Sequence, residues 1–161
     1  MLLLSARAGL RACEIAALTW RMVLLPNGRV GEIIELPASA AKMGGGRRVP
    51  LRRDLKRALV VLHKGQERPC AGPVIRSERK GAMTAKSVVN WFRRFYDELG
   101  MQGCSSHSGR RTFITRAARS VHKAGGSLRD VQELAGHRSL KTTEGYIEGD
   151  RDAQRRLVQM L

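Results

Sequence analysis

Apolar residues recur every three or four positions over much of the chain, which is the spacing of one face of an α-helix. One such stripe runs along residues 52–64 and another, rich in aromatic residues, along 85–100. We assign both stripes to the core. Thr84 and Ser127 stand where helix N-caps are expected. The pattern predicts helices over residues 5–20 with a break at Gly9, and over 52–64, 85–100, 109–126, 128–136, 139–147 and 150–161.

Two segments with extended character flank a glycine-rich stretch. "RVGEIIELP" (29–37) and "RVPL" (48–51) lie on either side of "ASAAKMGGGR" (38–47). This arrangement predicts a β-hairpin with a mobile tip. Residues 67–83 hold prolines and glycines and predict a loop with one short strand at Val74–Ile75. The fold class that follows is α+β, mostly helical with a small antiparallel β-sheet.

The charge of the chain is strongly unbalanced. In 161 residues, 30 Lys and Arg stand against 14 Asp and Glu, which gives a net charge of +16. Such a balance favours a polyanionic partner, nucleic acid before a membrane surface. A basic structural protein of the ribosomal type would show the same balance, so the charge alone does not define a function.

Cysteines and the N-terminus exclude several classes of protein. Cys13, Cys70 and Cys104 are far apart, with no CxxC pair, so we expect reduced thiols and no zinc site. The opening "MLLLSARAGL" is too short for a membrane span. It is also a poor signal peptide, because no basic region precedes its apolar run.

Familiar catalytic motifs are missing from the sequence. "MGGGRR" does not fit the GxxxxGK pattern of a phosphate-binding loop, no GxSxG elbow occurs, and no close carboxylate pair suggests a two-metal site. Arginine, lysine, histidine and tyrosine remain. That set suits metal-free attack on a phosphodiester, with a tyrosine nucleophile, arginines that neutralise the phosphate and a lysine or histidine as acid.

Six residues of these types stand where they could serve such a reaction: Arg11, Lys42, His107, Arg110, His137 and Tyr146. Arg11 precedes a predicted helix, and Lys42 lies beside three glycines at the predicted hairpin tip. His107 and Arg110 are three residues apart and so share one face of a helix start. Taken singly, each could equally be an ordinary surface or loop residue.

Four motifs follow one another over residues 9–146: "GLRACEIAALTW", "AK" with "RRVPL", "HSGRRTF" and "LAGHRSLKTTEGY". In type and order they resemble the motifs of the catalytic domain of the tyrosine recombinases, the phage-type integrase family. The last motif also shares that family's nine-residue step from histidine to tyrosine. The resemblance implies the tyrosine recombinase catalytic-domain fold, which is similar to the catalytic core of type IB topoisomerases.

The resemblance implies a role for each candidate residue. Tyr146 would be the nucleophile that joins the 3′-phosphate of the cut DNA strand. Arg11 and Arg110 would hold the scissile phosphate, and Lys42 would be the general acid for the 5′-hydroxyl. Neither a metal nor a nucleotide cofactor would be needed, because the energy of the broken bond is kept in the phosphotyrosine bond.

Three further positions are implicated in the same way. His107 would assist proton transfer, His137 would hydrogen-bond the phosphate, and Glu14, at the family's acidic position, would orient its neighbours. The motif that contains His107 departs from the family pattern at Ser108–Gly109, where Asp–Leu is common.

The expected organisation is a single catalytic domain over residues 1–161, with the family's N-terminal core-binding domain absent. We expect double-stranded DNA as partner, self-association on DNA with the helix over 150–161 as the candidate contact, and neither a membrane nor a nucleotide. The protein would be bacterial or phage-encoded, cytoplasmic and nucleoid-associated. Two alternatives to a site-specific recombinase stay open: a truncated, non-catalytic DNA-binding remnant, and a type IB topoisomerase-like DNA relaxer.

The surroundings of Tyr146 suggest a further expectation. Its neighbours in sequence are polar, so we expect it on a turn capped by Thr142 and Thr143. In a structure without DNA, we expect this segment to be mobile and to lie away from Arg11 and Arg110.

Overall fold

The computed structural model describes residues 1–40 and 46–146, together with positions 155, 158 and 159. Over this part of the chain, the elements are α1 (Leu2–Ala8), α2 (Ala12–Ala17), β1 (Ile33–Leu36), β2 (Arg47–Pro50), α3 (Arg53–Gly65), α4 (Ala85–Glu98), α5 (Ser108–Ser120), α6 (Leu128–Ala135) and α7 (Leu140–Glu144). The prediction of a mostly helical α+β fold with a small antiparallel sheet is confirmed. None of the described helices is both long and apolar enough to cross a bilayer.

The hairpin pairs β1 with β2 in an antiparallel register that runs from Ile33 opposite Pro50 to Leu36 opposite Arg47. Side chains alternate between the two faces of a strand, and Ile34, Leu36 and Val49 are buried on the inner face. The predicted mobile tip, at residues 41–45, lies outside the described residues.

The predicted strand at Val74–Ile75 is wrong. This segment is a loop with two isolated bridges, Thr19 to Pro73 and Arg76 to Ala82, on either side of the buried Val74. Hydrogen bonds from the Trp20 and Val74 N–H groups form the bridge at Pro73, which does not extend because α2 ends at Ala17 and a 3₁₀ turn begins at Trp20.

Local signals in the sequence set most helix ends. The Thr84 hydroxyl accepts a hydrogen bond from the Ser87 N–H at 3.1 Å, as an N-cap does. Ser127 and Asp130 form a capping box at the start of α6. The helix predicted over 109–126 is shorter than expected, because α5 ends at Ser120 and a 3₁₀ turn follows it.

Two apolar cores lie side by side. The larger is formed by α1 to α4, the hairpin and the connection after α2, and its buried members include Ile15, Trp20, Ile34, Leu55 and Phe92. The smaller is formed by α5, α6 and the short turn between them, with the buried residues Ile114, Ala118, Val121, Val131 and Ala135.

Helix α1 packs closely against α5 and thereby joins the two cores. A Cβ atom at Gly109 would lie 2.7 Å from the Ser5 hydroxyl oxygen, which is closer than van der Waals contact allows. The glycine at this position, where leucine is common in the family motif, therefore matches the close approach of the two helices.

Candidate active site

The centre of the candidate site is Glu14, a carboxylate in α2 with no solvent exposure. Arg11, the N-cap of that helix, donates to it from its backbone N–H at 2.8 Å and from Nη1 at 2.9 Å. Arg47 of β2 donates to both carboxylate oxygens, from Nη1 at 2.7 Å and from Nη2 at 2.9 Å. Burial alone would raise the pKa of Glu14, but the hydrogen bonds and charges of Arg47 and Arg11 outweigh it and hold that pKa below its usual value.

Three arginines meet at the C-terminal end of α6, where each donates to one of three consecutive carbonyl groups. Arg47 Nε lies 2.9 Å from the Leu134 oxygen, Arg110 Nη2 lies 2.6 Å from the Ala135 oxygen, and Arg11 Nη2 lies 3.2 Å from the Gly136 oxygen. The last carbonyls of a helix lack partners within the helix and carry partial negative charge, so they favour cations. The C-terminal end of α6 thus brings together three arginines that are far apart in the sequence.

Arg110 is the most deeply placed of the phosphate-clamp candidates, with 2% of its surface exposed. Its second guanidinium nitrogen, Nη1, donates to the Gly9 carbonyl. Burial, with the nearby charges of Arg11 and Arg47, lowers the pKa of Arg110 to about 10, so it is still a cation at neutral pH. Among the described residues, Glu14 is the one carboxylate that pairs with these three arginines, so this part of the cluster has excess positive charge.

His137 follows the left-handed residue Gly136 (φ +62°), which ends α6. Its Nε2 lies 3.0 Å from Arg110 Nη2, and its Nδ1 lies 3.0 Å from the Thr143 hydroxyl. Because a guanidinium can only donate, Nε2 must accept and the proton must sit on Nδ1, which donates to Thr143. Burial, with the charges of Arg110, Arg11 and Arg47, lowers the pKa of His137 to about 4, in agreement with a neutral ring.

Tyr146 lies directly on this cluster. Its ring stacks on His137 with the centroids 5.5 Å apart, and its backbone carbonyl accepts from the Thr115 hydroxyl at 3.3 Å. Its ring also packs against the smaller core. The prediction that Tyr146 lies away from Arg110 is therefore wrong, because an apolar core and a histidine ring hold the tyrosine in place.

The predicted capping role of Thr143 is also wrong. Ser139 is the N-cap of α7, and Thr143 is fully buried with its hydroxyl on His137 Nδ1. A run of polar residues around a turn shows that hydroxyl groups are present. It does not show whether a given hydroxyl caps its own helix or hydrogen-bonds a side chain elsewhere.

A model of the phage integrase family matches residues 1–152. The chain belongs to this family. It is 30% identical over 145 residues to the tyrosine recombinase XerC of Nitrobacter winogradskyi, covering 86% of this chain and 41% of that protein. It is 36% identical over 78 residues to XerC of Syntrophus aciditrophicus, covering 48% of this chain and 24% of that protein. The chain thus spans less than half the length of these relatives.

Solved structures of tyrosine recombinases have the same fold. The chain superimposes on the Tn1549 transposon integrase in complex with a circular intermediate DNA with a TM-score of 0.74 at 20% identity, covering 99% of this chain and 57% of that chain. For XerA recombinase the TM-score is 0.73 at 23% identity, with 98% and 55% covered. The predicted fold family is therefore confirmed.

Of the six residues predicted from the family motifs, the structure brings four together: Arg11, Arg110, His137 and Tyr146. His107 is the N-cap residue of α5 and is exposed, and its ring makes no hydrogen bond within the described part of the chain. Lys42 lies outside the described residues. The catalytic roles of all six residues stay predictions.

Sequence reasoning missed one residue of this cluster, Arg47. The motif "RRVPL" contains it, but no role was assigned to it. The alternation of strand side chains was the available signal, because Arg47 is two residues from the buried Val49 and so shares its inward face. An arginine on an inward face needs a buried partner, and Glu14 is that partner.

Proposed function

We propose that this chain is the catalytic domain of a site-specific DNA recombinase, which cuts and rejoins double-stranded DNA through a 3′-phosphotyrosyl intermediate. The observation that carries the proposal is the convergence of Arg11, Arg110, His137 and Tyr146, which come from four separate places in the fold. Relatives that carry the name tyrosine recombinase support the proposal. So does the similar structure of XerH recombinase, which is a post-cleavage complex with its palindromic difH substrate.

The charge of the cluster suits one phosphodiester group. Arg11 keeps 18% of its side chain exposed, whereas Arg110 is almost fully buried, so a phosphate would meet Arg11 first. The bond from Arg11 to the Gly136 carbonyl is the longest of the three arginine bonds to α6, at 3.2 Å. We expect a phosphate oxygen to replace that carbonyl, because an anion is the stronger acceptor.

In the proposed reaction, the Tyr146 hydroxyl oxygen attacks the phosphorus and a new P–O bond to the tyrosine forms. The bond from phosphorus to the 5′-oxygen breaks, and that oxygen leaves with the bonding electron pair. The proton of the phenol is lost to a base, and the 5′-oxygen gains one proton. One phosphoester bond replaces another, so the reverse reaction rejoins DNA without an external energy source.

Arg11 and Arg110 would stabilise the charge that develops on the non-bridging oxygens. His137 would add a hydrogen bond to the phosphate by turning its Nδ1–H from Thr143 to a phosphate oxygen. Lys42 would donate the proton to the 5′-oxygen and His107 would assist proton transfer. The support for these last two roles is the resemblance of their motifs to those of the family. Lys42 lies between the described residues of β1 and β2, and β2 itself carries Arg47 into the cluster.

The test is covalent capture on DNA. In a nicked duplex, cleavage releases a short DNA fragment that carries the 5′-hydroxyl, so the strand cannot be rejoined. A covalent protein–DNA adduct then accumulates and can be seen on a denaturing gel. The chain has two tyrosines, Tyr96 and Tyr146, which provide a matched pair. Tyr146→Phe should abolish the adduct, and Tyr96→Phe should retain it, because Tyr96 lies in the larger core.

The same assay separates the alternative functions. DNA binding without an adduct on any substrate would overturn the proposal in favour of a non-catalytic remnant. An adduct together with relaxation of supercoiled plasmid, and no strand exchange between two DNA molecules, would favour a topoisomerase-like relaxer. The DNA substrates should therefore include duplexes from the region that flanks the coding sequence, where a recombination site is expected.

We propose in addition that the chain self-associates on nucleoid DNA through the segment 150–161. The support is the apolar character of four residues in this segment, Leu157, Val158, Met160 and Leu161. Val158 belongs to the part of the chain that the structure describes, and 71% of its surface is exposed. Deletion of residues 151–161 should lower the mass of the protein–DNA complex in sedimentation. An unchanged mass would contradict this contact.

A further inference from the structure

The side chain of Arg47 belongs to the candidate site, is almost fully enclosed, and has no part in the proposed reaction. Only 5% of that side chain is exposed. Its Nη1 and Nη2 atoms form a fork on the two oxygens of Glu14, and its Nε donates to the Leu134 carbonyl. Each of its three nitrogen atoms thus has a protein acceptor.

This saturation distinguishes Arg47 from the two arginines of the phosphate clamp. Arg11 and Arg110 each bind a carbonyl of α6 through Nη2, an atom that could turn to a phosphate oxygen. For Arg47, both Nη atoms are held by the buried Glu14 carboxylate, and turning them to a phosphate would remove two of the hydrogen bonds that this buried charge receives. Arg47 is therefore poorly suited to bind the DNA phosphate directly.

The contacts of Arg47 instead connect three elements. Through Glu14 it reaches α2 and the N-cap residue Arg11, and through Leu134 it reaches the end of α6. Gly136 lies against the same guanidinium, since a Cβ atom there would be 2.9 Å from Arg47 Nη1. The side chain thus lies beneath the turn from which His137 extends.

We infer that Arg47 is a positioning residue, which holds Arg11 and the His137 turn in one geometry around the scissile phosphate without itself binding that phosphate. This inference rests on the proposed function, and it gives strand β2 a part in the site that is separate from the acid role proposed for Lys42. A guanidinium is required for it, because a lysine cannot form the fork on Glu14 and also reach Leu134.

The first test compares Arg47→Lys with Arg48→Lys in the nicked-duplex assay under single-turnover conditions. Arg48 is the adjacent residue of the same strand, but 70% of its side chain is exposed and it pairs only loosely with Glu35, at 3.4 Å. Arg47→Lys should lower the rate of adduct formation about 10- to 100-fold, the effect expected of a small misplacement of catalytic groups. Arg48→Lys should cleave at the wild-type rate.

The second measurement is DNA affinity. The Kd of Arg47→Lys should stay within about twofold of wild type, since phosphate contacts supply most of the affinity and none of them is lost. If Arg47→Lys raises the Kd for DNA and cleaves at the wild-type rate once DNA is saturating, the inference is overturned and Arg47 is a phosphate contact. A wild-type rate in Arg47→Lys would overturn it as well. If the wild-type protein itself forms no adduct, the proposed function fails instead.

A role in stability alone is separated by two further readouts. Arg47→Lys will lower the melting temperature, so rates are measured well below it and expressed per folded molecule. A normal rate per folded molecule would contradict a positioning role. Independently of cleavage, the ¹H NMR titration of His137 in Arg47→Met should move its pKa upward from about 4, because one neighbouring cation is removed. An unmoved titration would contradict the proposed link between the two residues.

Discussion

The two apolar cores differ in size and in what borders them. The larger one contains whole aromatic side chains such as Trp20 and Phe92 without solvent exposure, and the helices around it cover each other. The smaller one consists of Ile114 and a few smaller residues, and Tyr146 packs at its edge. The nucleophile candidate therefore lies on the part of the molecule with less buried apolar surface.

Between the two cores lies the arginine cluster, which is polar and mostly buried. Glu14 belongs to a helix of the larger core, whereas the α6 carbonyls that receive the arginines belong to the smaller one. Gly9 marks the same boundary, because its carbonyl accepts from Arg110. The comparison shows that apolar packing builds each half, and that buried hydrogen bonds to arginine set how the halves meet at the site.

The largest expected effect comes from the larger core. Phe92→Ala should lower the free energy of unfolding by about 3–5 kcal/mol, because it removes a fully buried ring and leaves a cavity. Phe95→Ala on the same helix should cost less, since Phe95 is only partly buried. Urea denaturation followed by circular dichroism measures both. Equal losses of unfolding free energy in the two variants would show that Phe92 is no more deeply buried in the larger core than Phe95.

A smaller effect is expected where the two cores meet. Gly9 and Gly28 both have a left-handed backbone, at φ +63° and +74°, so alanine strains the backbone similarly at each position. A Cβ at Gly9 would also lie 2.5 Å from the Phe113 ring, whereas nothing lies within 4 Å at Gly28. Gly9→Ala should therefore cost about 1–3 kcal/mol more than Gly28→Ala in urea denaturation. Equal costs would contradict this contact between α5 and the Gly9 turn.

The smallest effect concerns His137 and pH. Its pKa of about 4 in the folded state lies below the value of about 6.5 expected when unfolded, so the unfolded state takes up the proton first as pH falls. This residue's contribution to stability is thus complete above pH 6.5 and is lost as the pH drops toward 4. The ring is half-buried, so solvent screening keeps the effect modest.

The measurement is the free energy of unfolding at pH 7, 5.5 and 4.5 for the wild type and His137→Gln. Glutamine can accept from Arg110 and donate to Thr143 without titrating in this range. The wild type should lose more stability than the variant between pH 7 and 4.5. Parallel pH profiles would show that His137 is not held in its neutral form by this cluster.

Much of the fold was predictable because local signals decide it. Stripes of apolar residues predicted α3 and α4, and the caps Thr84 and Ser127 set the starts of α4 and α6. The strand predicted at Val74–Ile75 failed because a short apolar pair does not reveal whether a neighbouring chain is free to pair with it. The partner segment around Thr19 is short, because α2 ends just before it and a 3₁₀ turn begins just after it, so the pairing stays a single bridge.

Most helices, the hairpin, the family and six candidate site residues could be predicted from the sequence, since each of these depends on neighbouring residues or on short motifs. The packed fold was needed to show that Tyr146 lies on His137, that Thr143 hydrogen-bonds His137, and that Arg47 belongs to the site. The reason is the range of the contacts: Arg47 meets Glu14 across 33 positions, and Arg11 meets Gly136 across 125. A buried charge must find its partner wherever the packed elements place one, and no local pattern specifies that partner.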